Sequence, residues 1–177
     1  MDIKLNKNLI LTGMMGVGKS TIGVNLAKKL KFTFIDIDKI IETKEGCSIN
    51  HIFKNKGEIY FRKIENNTTL QELKKINSVI SLGGGAFLNN TIRKYVKKFS
   101  TCFWLDINMG ELIKRLERNK KRPLLYKKNI NETVKQIYLE RKKTYSEADY
   151  KIKCDALKPD EIVNKVIKLY EKSGNKI

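Results

Sequence analysis

Short apolar runs alternate with longer amphipathic stretches along the whole chain. The run 8-NLILT-12 stops at Gly13, and an unbroken apolar run of that length, ended by a glycine, predicts a buried strand. Ile22, Leu26, Ala27 and Leu30 then recur at helical spacing through 20-STIGVNLAKKL-30. The aromatic and β-branched stretch 32-FTFIDID-38 predicts a second strand. Residues 39–55 read as short helices, with Ser48 placed to cap the one that carries Ile49, Ile52 and Phe53, and 57–76 as a longer helix. The run 78-SVISLGGG-85 is a strand leading into three glycines, followed by a helix near 89–98. A strand at 101-TCFWLDI-107 precedes a helix at 109–118. Residues 119–130, NKKRPLLYKKNI, have no clean period and predict a loop. A helix at 131–147, a strand at 150–154 and a helix at 159–172 with Pro159 in its first turn complete the pattern.

Strands that are apolar throughout and alternate with helices make a parallel sheet covered on both faces, so the fold class is α/β. Nothing in 177 residues suggests a linker, a composition shift or an internal repeat, and the expectation is a single domain spanning 1–177. In such sheets a ligand sits beyond the carboxyl ends of the strands. The chemistry is therefore sought in the segments 13–19, 36–39, 83–86, 106–109 and 155–158.

The net charge of +18 first raises a nucleic-acid or membrane-surface partner. Only six of the 37 basic residues are Arg, and the lysines are scattered rather than gathered in one block. The charge reads as solvated surface, with no specific nucleic acid and no membrane expected. Cys47, Cys102 and Cys154 are odd in number and far apart, which disfavours a disulfide framework or a zinc site. Cys102 and Cys154 lie in strand-like runs and read as core thiols. The start, MDIKLNKNLILTG, lacks a signal-peptide pattern, and the reading is a cytoplasmic protein, monomeric by default.

Between the first strand and the first helix lies Gly13-x-x-x-x-Gly18-Lys19-Ser20, the pattern of a phosphate-binding loop. Glycines let successive backbone N–H groups converge, and the helix that follows aims its positive end at the same point. Lys19 is placed to bridge β- and γ-phosphates and Ser20 to bind Mg²⁺. Asp36 and Asp38 end the second strand, and positions two apart along a strand share a face, so both carboxylates can point into one cleft. One would then hold Mg²⁺ through water and the other accept a proton from an attacking hydroxyl; the alternative is that Asp38 caps the next helix. The sole histidine, His51, reads as a surface or packing residue, which leaves a carboxylate as the base.

In a chain that defaults to Lys, each Arg carries information, because bidentate contact with a carboxylate or phosphate is what Arg supplies. Arg122 lies in the irregular loop beside Pro123, where it can close over phosphates. Arg62 and Arg141 lie on helices, and Arg93 and Arg118 read as surface salt bridges. Gly83, Gly84 and Gly85 remove side chains at a strand end, which predicts a small substrate lying against that backbone.

Together GMMGVGKSTIG, the DID pair, FRKIE at 61–65, SLGGGA at 81–86, RPLL at 122–125 and ERKKTY at 140–145 resemble the shikimate kinase family over nearly the whole chain. The resemblance implies a P-loop fold like the nucleoside-monophosphate kinases, a three-layer sandwich around a five-stranded parallel sheet of order 2-3-1-4-5. It implies transfer of the ATP γ-phosphoryl to the 3-hydroxyl of shikimate, with one Mg²⁺ per subunit. Carried over by position, Gly13, Gly16, Val17, Gly18, Lys19, Ser20 and Thr21 cradle the nucleotide. Ser20 and Asp36 serve Mg²⁺. Asp38 contacts the shikimate hydroxyls as candidate base, and Arg62 and Arg141 grip its carboxylate. Gly83, Gly84 and Gly85 line the ring, with Phe53 and Phe61 as the apolar wall. Arg122 is the arginine of a mobile lid at about 119–130, Arg115 packs near the adenine, and the acid-binding region spans about 38–65. Where many members carry an arginine after the last strand, 155-DALKPDE-161 offers Leu157 and Lys158. A related kinase of the same fold acting on gluconate is the alternative enzyme. A basic nucleic-acid-binding protein, or a degenerate kinase kept for interactions, is the alternative from another class.

Overall fold

The computed structural model describes residues 7–118 and 130–174. Strands β1 (Asn8–Thr12), β2 (Thr33–Asp36), β3 (Ser78–Ser81), β4 (Ser100–Asp106) and β5 (Tyr150–Lys153) form one parallel sheet in the order β2-β3-β1-β4-β5. Parallel neighbours need long crossovers. These are supplied by helices α1 (Lys19–Leu30), α2 (Ile37–Glu45), α3 (Ile49–Glu72), α4 (Asn90–Phe99), α5 (Met109–Arg118), α6 (Ile130–Tyr145) and α7 (Pro159–Gly174). The expected α/β class and strand order are observed.

The sheet is anchored on its central strand, β1. Leu9, Ile10 and Leu11 are fully buried, in register with Val79, Ile80 and Ser81 on one side and Thr101, Cys102 and Phe103 on the other. Burying each such aliphatic side chain is worth about 1.5–3 kcal/mol, which only a sheet covered on both faces collects for consecutive residues. Cys102 and Cys154 are buried in that core, as expected. Among the described residues, no helix is long and apolar enough to cross a membrane.

The helix starts carry the signals that the sequence displays. The Ser48 hydroxyl accepts from His51 N at 3.3 Å and so caps α3. Asn89 caps α4 by accepting from Thr91 N at 2.9 Å and Ile92 N at 3.2 Å. Within α3 the backbone breaks at Gly57, whose φ of 79° and ψ of 172° are outside helical space and favour glycine. The helix thus divides there, as the separate reading of 39–55 and 57–76 expects.

One expectation fails at β2. The strand ends at Asp36, and Asp38 falls in the first turn of α2. Strand alternation therefore does not place the two carboxylates on one face. It is Asp36, not Asp38, that caps the helix, accepting from Lys39 N at 3.3 Å.

Candidate active site

The glycine loop joins β1 to α1 at the carboxyl edge of the sheet. Gly13 leaves β1 with φ 136°, and a Cβ there would lie 2.4 Å from the Leu105 carbonyl oxygen, so the turn beside β4 admits no side chain. Gly16 lies against Leu116 of α5 in the same way. Gly18 is the N-cap of α1, and Thr21 lies in the exposed first turn. The Lys19 ammonium donates to the carbonyls of Gly13 and Met14, both at 3.0 Å, so it lies folded back across the loop's mouth. Ser20 Oγ donates to Asp36 Oδ2 at 2.6 Å. Two oxygen ligands thus lie side by side next to the helix end. Mg²⁺ keeps most of its waters and takes one or two protein oxygens beside nucleotide phosphates, and this pair fits that demand. Val17 is buried, and its carbonyl accepts from Arg115 Nη1 at 3.4 Å. Arg115 also meets Glu111 at 3.4 Å, which places it on α5 at the edge of the loop.

Next to the loop opens a cavity of about 710 Å³. Ser20, Asp36 and Asp38 line its floor, and Phe53 and Phe61 contribute an apolar side with ring centroids 4.7 Å apart. Arg62 and Arg141, on separate helices, both reach it. Arg62 donates to Glu65 Oε2 at 2.7 Å through Nη1 and to Glu58 Oε1 at 3.0 Å through Nη2. Burial opposes the Arg62 charge, but Glu65 and Glu58 more than offset it and hold its pKa above the ordinary value. Arg141 is buried, and its Nη1 donates to the Gly84 carbonyl at 2.9 Å. The Tyr145 hydroxyl donates to the same carbonyl. Arg62 and Arg141 in one cavity with Asp38 can orient an anionic, hydroxylated molecule against a phosphate site, even though Asp36, Glu42 and Glu65 also line it.

The glycine segment also makes room for the protein's own side chains. A Cβ at Gly85 would lie 2.4 Å from Arg62 Nη1, and one at Gly83 would lie 2.5 Å from Glu65 Oε1 and 2.7 Å from Asp38 Oδ1. These positions leave room for the protein's own charged side chains. Gly84 and Gly85 do line the cavity, but Gly83 is not part of its wall.

Glu65 is a site residue that the sequence reading passed over. It is almost wholly buried against Arg62, and burial raises its carboxyl above the ordinary value, with Arg62 pulling the other way. Its signal was the three-residue spacing from Arg62 on one helix. Tyr145 was missed too, since nothing local marks an aromatic at a helix end as the partner of a distant carbonyl. Arg93 is more than a surface salt bridge: it donates to two backbone carbonyls besides pairing with Glu147. Arg118 is exposed, and so is His51. Arg122 and nearly all of the expected lid lie outside the described residues.

A model of the shikimate kinase family matches residues 15–171. The chain belongs to the shikimate kinase family. Shikimate kinase of Sulfurihydrogenibium sp. is 41% identical over 161 residues, which are 91% of this chain and 96% of that protein. The shikimate kinase of Thermodesulfovibrio yellowstonii is 38% identical over 96% of this chain and 98% of its own. Among solved structures, the shikimate kinase of Acinetobacter baumannii in complex with shikimate superposes with a TM-score of 0.90 at 30% identity. The match covers 97% of this chain and 95% of that one. A gluconokinase from Sinorhizobium meliloti reaches a TM-score of 0.59 at 13% identity, a likeness of fold alone. The family places this chain among ATP-dependent small-molecule kinases, and the P-loop and the carboxylate–arginine cavity are the two halves such an enzyme needs.

Proposed function

We propose that the protein transfers the γ-phosphoryl group of ATP to the 3-hydroxyl of shikimate. The observation that carries this reading is the convergence of Arg62, Arg141 and Asp38 on one cavity that also reaches Ser20 and Asp36 of the nucleotide side. Two guanidinium groups there suit a carboxylate, since each offers a planar fork of donors. With the carboxylate so held, a ring hydroxyl faces Asp38, which orients it and accepts its proton as the new O–P bond forms. Phe53 and Phe61 pack the ring's apolar side and exclude water.

On the donor side, the amides of Gly16, Val17, Gly18 and Lys19 hold the β-phosphate at the start of α1. Lys19 turns from the Gly13 and Met14 carbonyls toward the β- and γ-oxygens once nucleotide enters. Ser20 and Asp36 would hold Mg²⁺, which when bound would supply positive charge beside the nucleotide phosphates. Arg122 would add positive charge to the transferred group, and Arg115 borders the base. Transfer of this kind asks little covalent chemistry of the protein and depends on positioning and electrostatics.

The test is a coupled assay of ADP release with ATP, Mg²⁺ and a panel of hydroxylated acids. Release stimulated by shikimate, and not by gluconate, supports the reading. Stimulation by gluconate alone contradicts it and favours the other kinase of this fold.

A further inference from the structure

The Arg93 side chain is largely shielded, and its partners lie on two different parts of the fold. Its Nη1 donates to the carbonyls of Phe87 and Leu88, both at 3.0 Å. Its Nε meets Glu147 Oε1 at 3.2 Å, while Lys97 holds the other carboxylate oxygen at 2.6 Å. Phe87 and Leu88 end the short 3-10 turn Ala86–Leu88 that follows the glycine segment. Glu147 lies just past the end of α6, the helix that carries Arg141 and Tyr145.

On the cavity side the same two parts are joined again, by Arg141 and Tyr145 donating to the Gly84 carbonyl. The contacts close a ring. From Gly84 it runs through the turn to Phe87, across Arg93 to Glu147, back along α6 to Tyr145 and Arg141, and returns to Gly84. Within the turn, Ala86 N donates to Gly83 O at 3.1 Å and Leu88 N to Gly85 O at 3.0 Å, so a shift at Phe87 is passed to the glycines. The turn ends in carbonyls that no helix satisfies, and one planar guanidinium spans two of them and a carboxylate together. A lysine reaches a single point and cannot hold that geometry.

We propose that Arg93 is a positioning residue for the acceptor half of the site. It fixes the spacing between the glycine segment, against which Arg62 packs, and Arg141. The inference rests on the reading of Arg62 and Arg141 as the acceptor's carboxylate grip. A Cβ at Gly84 would lie 3.5 Å from the Met15 amide, so the ring borders the glycine loop there, while Arg141 and the Arg62 that packs on Gly85 stand in the acceptor cavity; the effect of breaking the ring falls mainly on the acceptor.

The test compares wild type with Arg93→Lys, Arg93→Met and Glu147→Ala, using steady-state kinetics for both substrates and amide hydrogen exchange without ligand. A displacement of 1 Å at a reacting centre costs on the order of a hundredfold, and a ring opened on its far side transmits part of that. Arg93→Lys is expected to raise the acceptor KM about tenfold with a much smaller change in the ATP KM. Exchange at Ala86 and Leu88 is expected to quicken in every variant. Glu147→Ala, which leaves the carbonyl contacts in place, gives the same split to a smaller degree and serves if Arg93→Met does not fold. Equal changes in both KM values, or wild-type acceptor KM and exchange in all variants, would overturn the inference. If wild type does not phosphorylate shikimate, the functional reading fails by itself. The exchange measurement then still decides whether Arg93 orders the turn.

Discussion

Gly85→Ala separates a steric account of the glycine segment from a purely substrate-based one. Gly85 has φ −108° and ψ −14°, which alanine adopts without strain, so the backbone does not respond to the change itself. The added Cβ would lie 2.4 Å from Arg62 Nη1, 2.8 Å from Cζ and 3.0 Å from Nη2. Ordinary contact starts at 3.4 Å, so the guanidinium has to retreat by about 1 Å. A misplacement of that size costs on the order of a hundredfold, or about 2.7 kcal/mol of transition-state stabilisation. Retreat also stretches the 2.7 Å contact to Glu65, whose buried carboxylate then loses its nearest cation. The expected result is a hundredfold drop in kcat/KM for shikimate, an unchanged Kd for ATP and a lowered melting temperature. Gly84→Ala is the internal comparison. Its Cβ would meet Arg141 Nη1 at 3.4 Å and the Met15 amide at 3.5 Å, so it is expected to lose much less. The reasoning is refuted if Gly85→Ala keeps kcat/KM within about threefold of wild type, or if Gly84→Ala is the more damaged of the two.

Asp38→Asn keeps the shape of the floor and removes the proton acceptor. Turnover should fall by about 10²–10⁴ with ATP affinity retained, and a kcat near wild type would remove Asp38 from the chemistry. Arg62→Lys keeps the charge and loses the fork toward Glu65 and Glu58. The acceptor KM should rise about tenfold or more while the ATP KM holds, and an unchanged acceptor KM contradicts the assigned contact. Glu65 provides a pH signature. Its native carboxyl titrates above its unfolded value, so the native state binds that proton more tightly. That contribution to stability is full below the unfolded value and is lost as pH rises through the native one. Glu65→Gln does not titrate, so urea melts between about pH 4 and 8 should show it gaining stability relative to wild type as pH rises; a relative loss contradicts the assigned shift.

The sheet was legible because its three inner strands are buried on both faces and therefore mostly apolar without alternation, as Leu9 to Leu11 show. The glycine loop was legible because backbone geometry dictates its spacing. The segment 32-FTFIDID-38 misled for a physical reason. Ile35 and Ile37 are both buried, so the apolar pattern continues across the strand end, and only the hydrogen bond from Lys39 N to Asp36 marks the helix start. The triple glycine announced empty space, but what fills the space is decided by helices far along the chain. Arg62 and Glu65 occupy it rather than leaving it all to a ligand. Arg93 was marked in the sequence only as an arginine among lysines. Its worth comes from two carbonyls and a carboxylate brought together by packing α4 against the turn and the end of α6.

Shikimate phosphorylation is most directly tested by following purified protein, ATP, Mg²⁺ and shikimate by phosphorus and proton NMR. The account predicts a new phosphomonoester resonance coupled to the proton on carbon 3 of the shikimate ring, growing in step with ADP. Phosphate on another hydroxyl, or ATP consumed with no organic phosphomonoester formed, would contradict it.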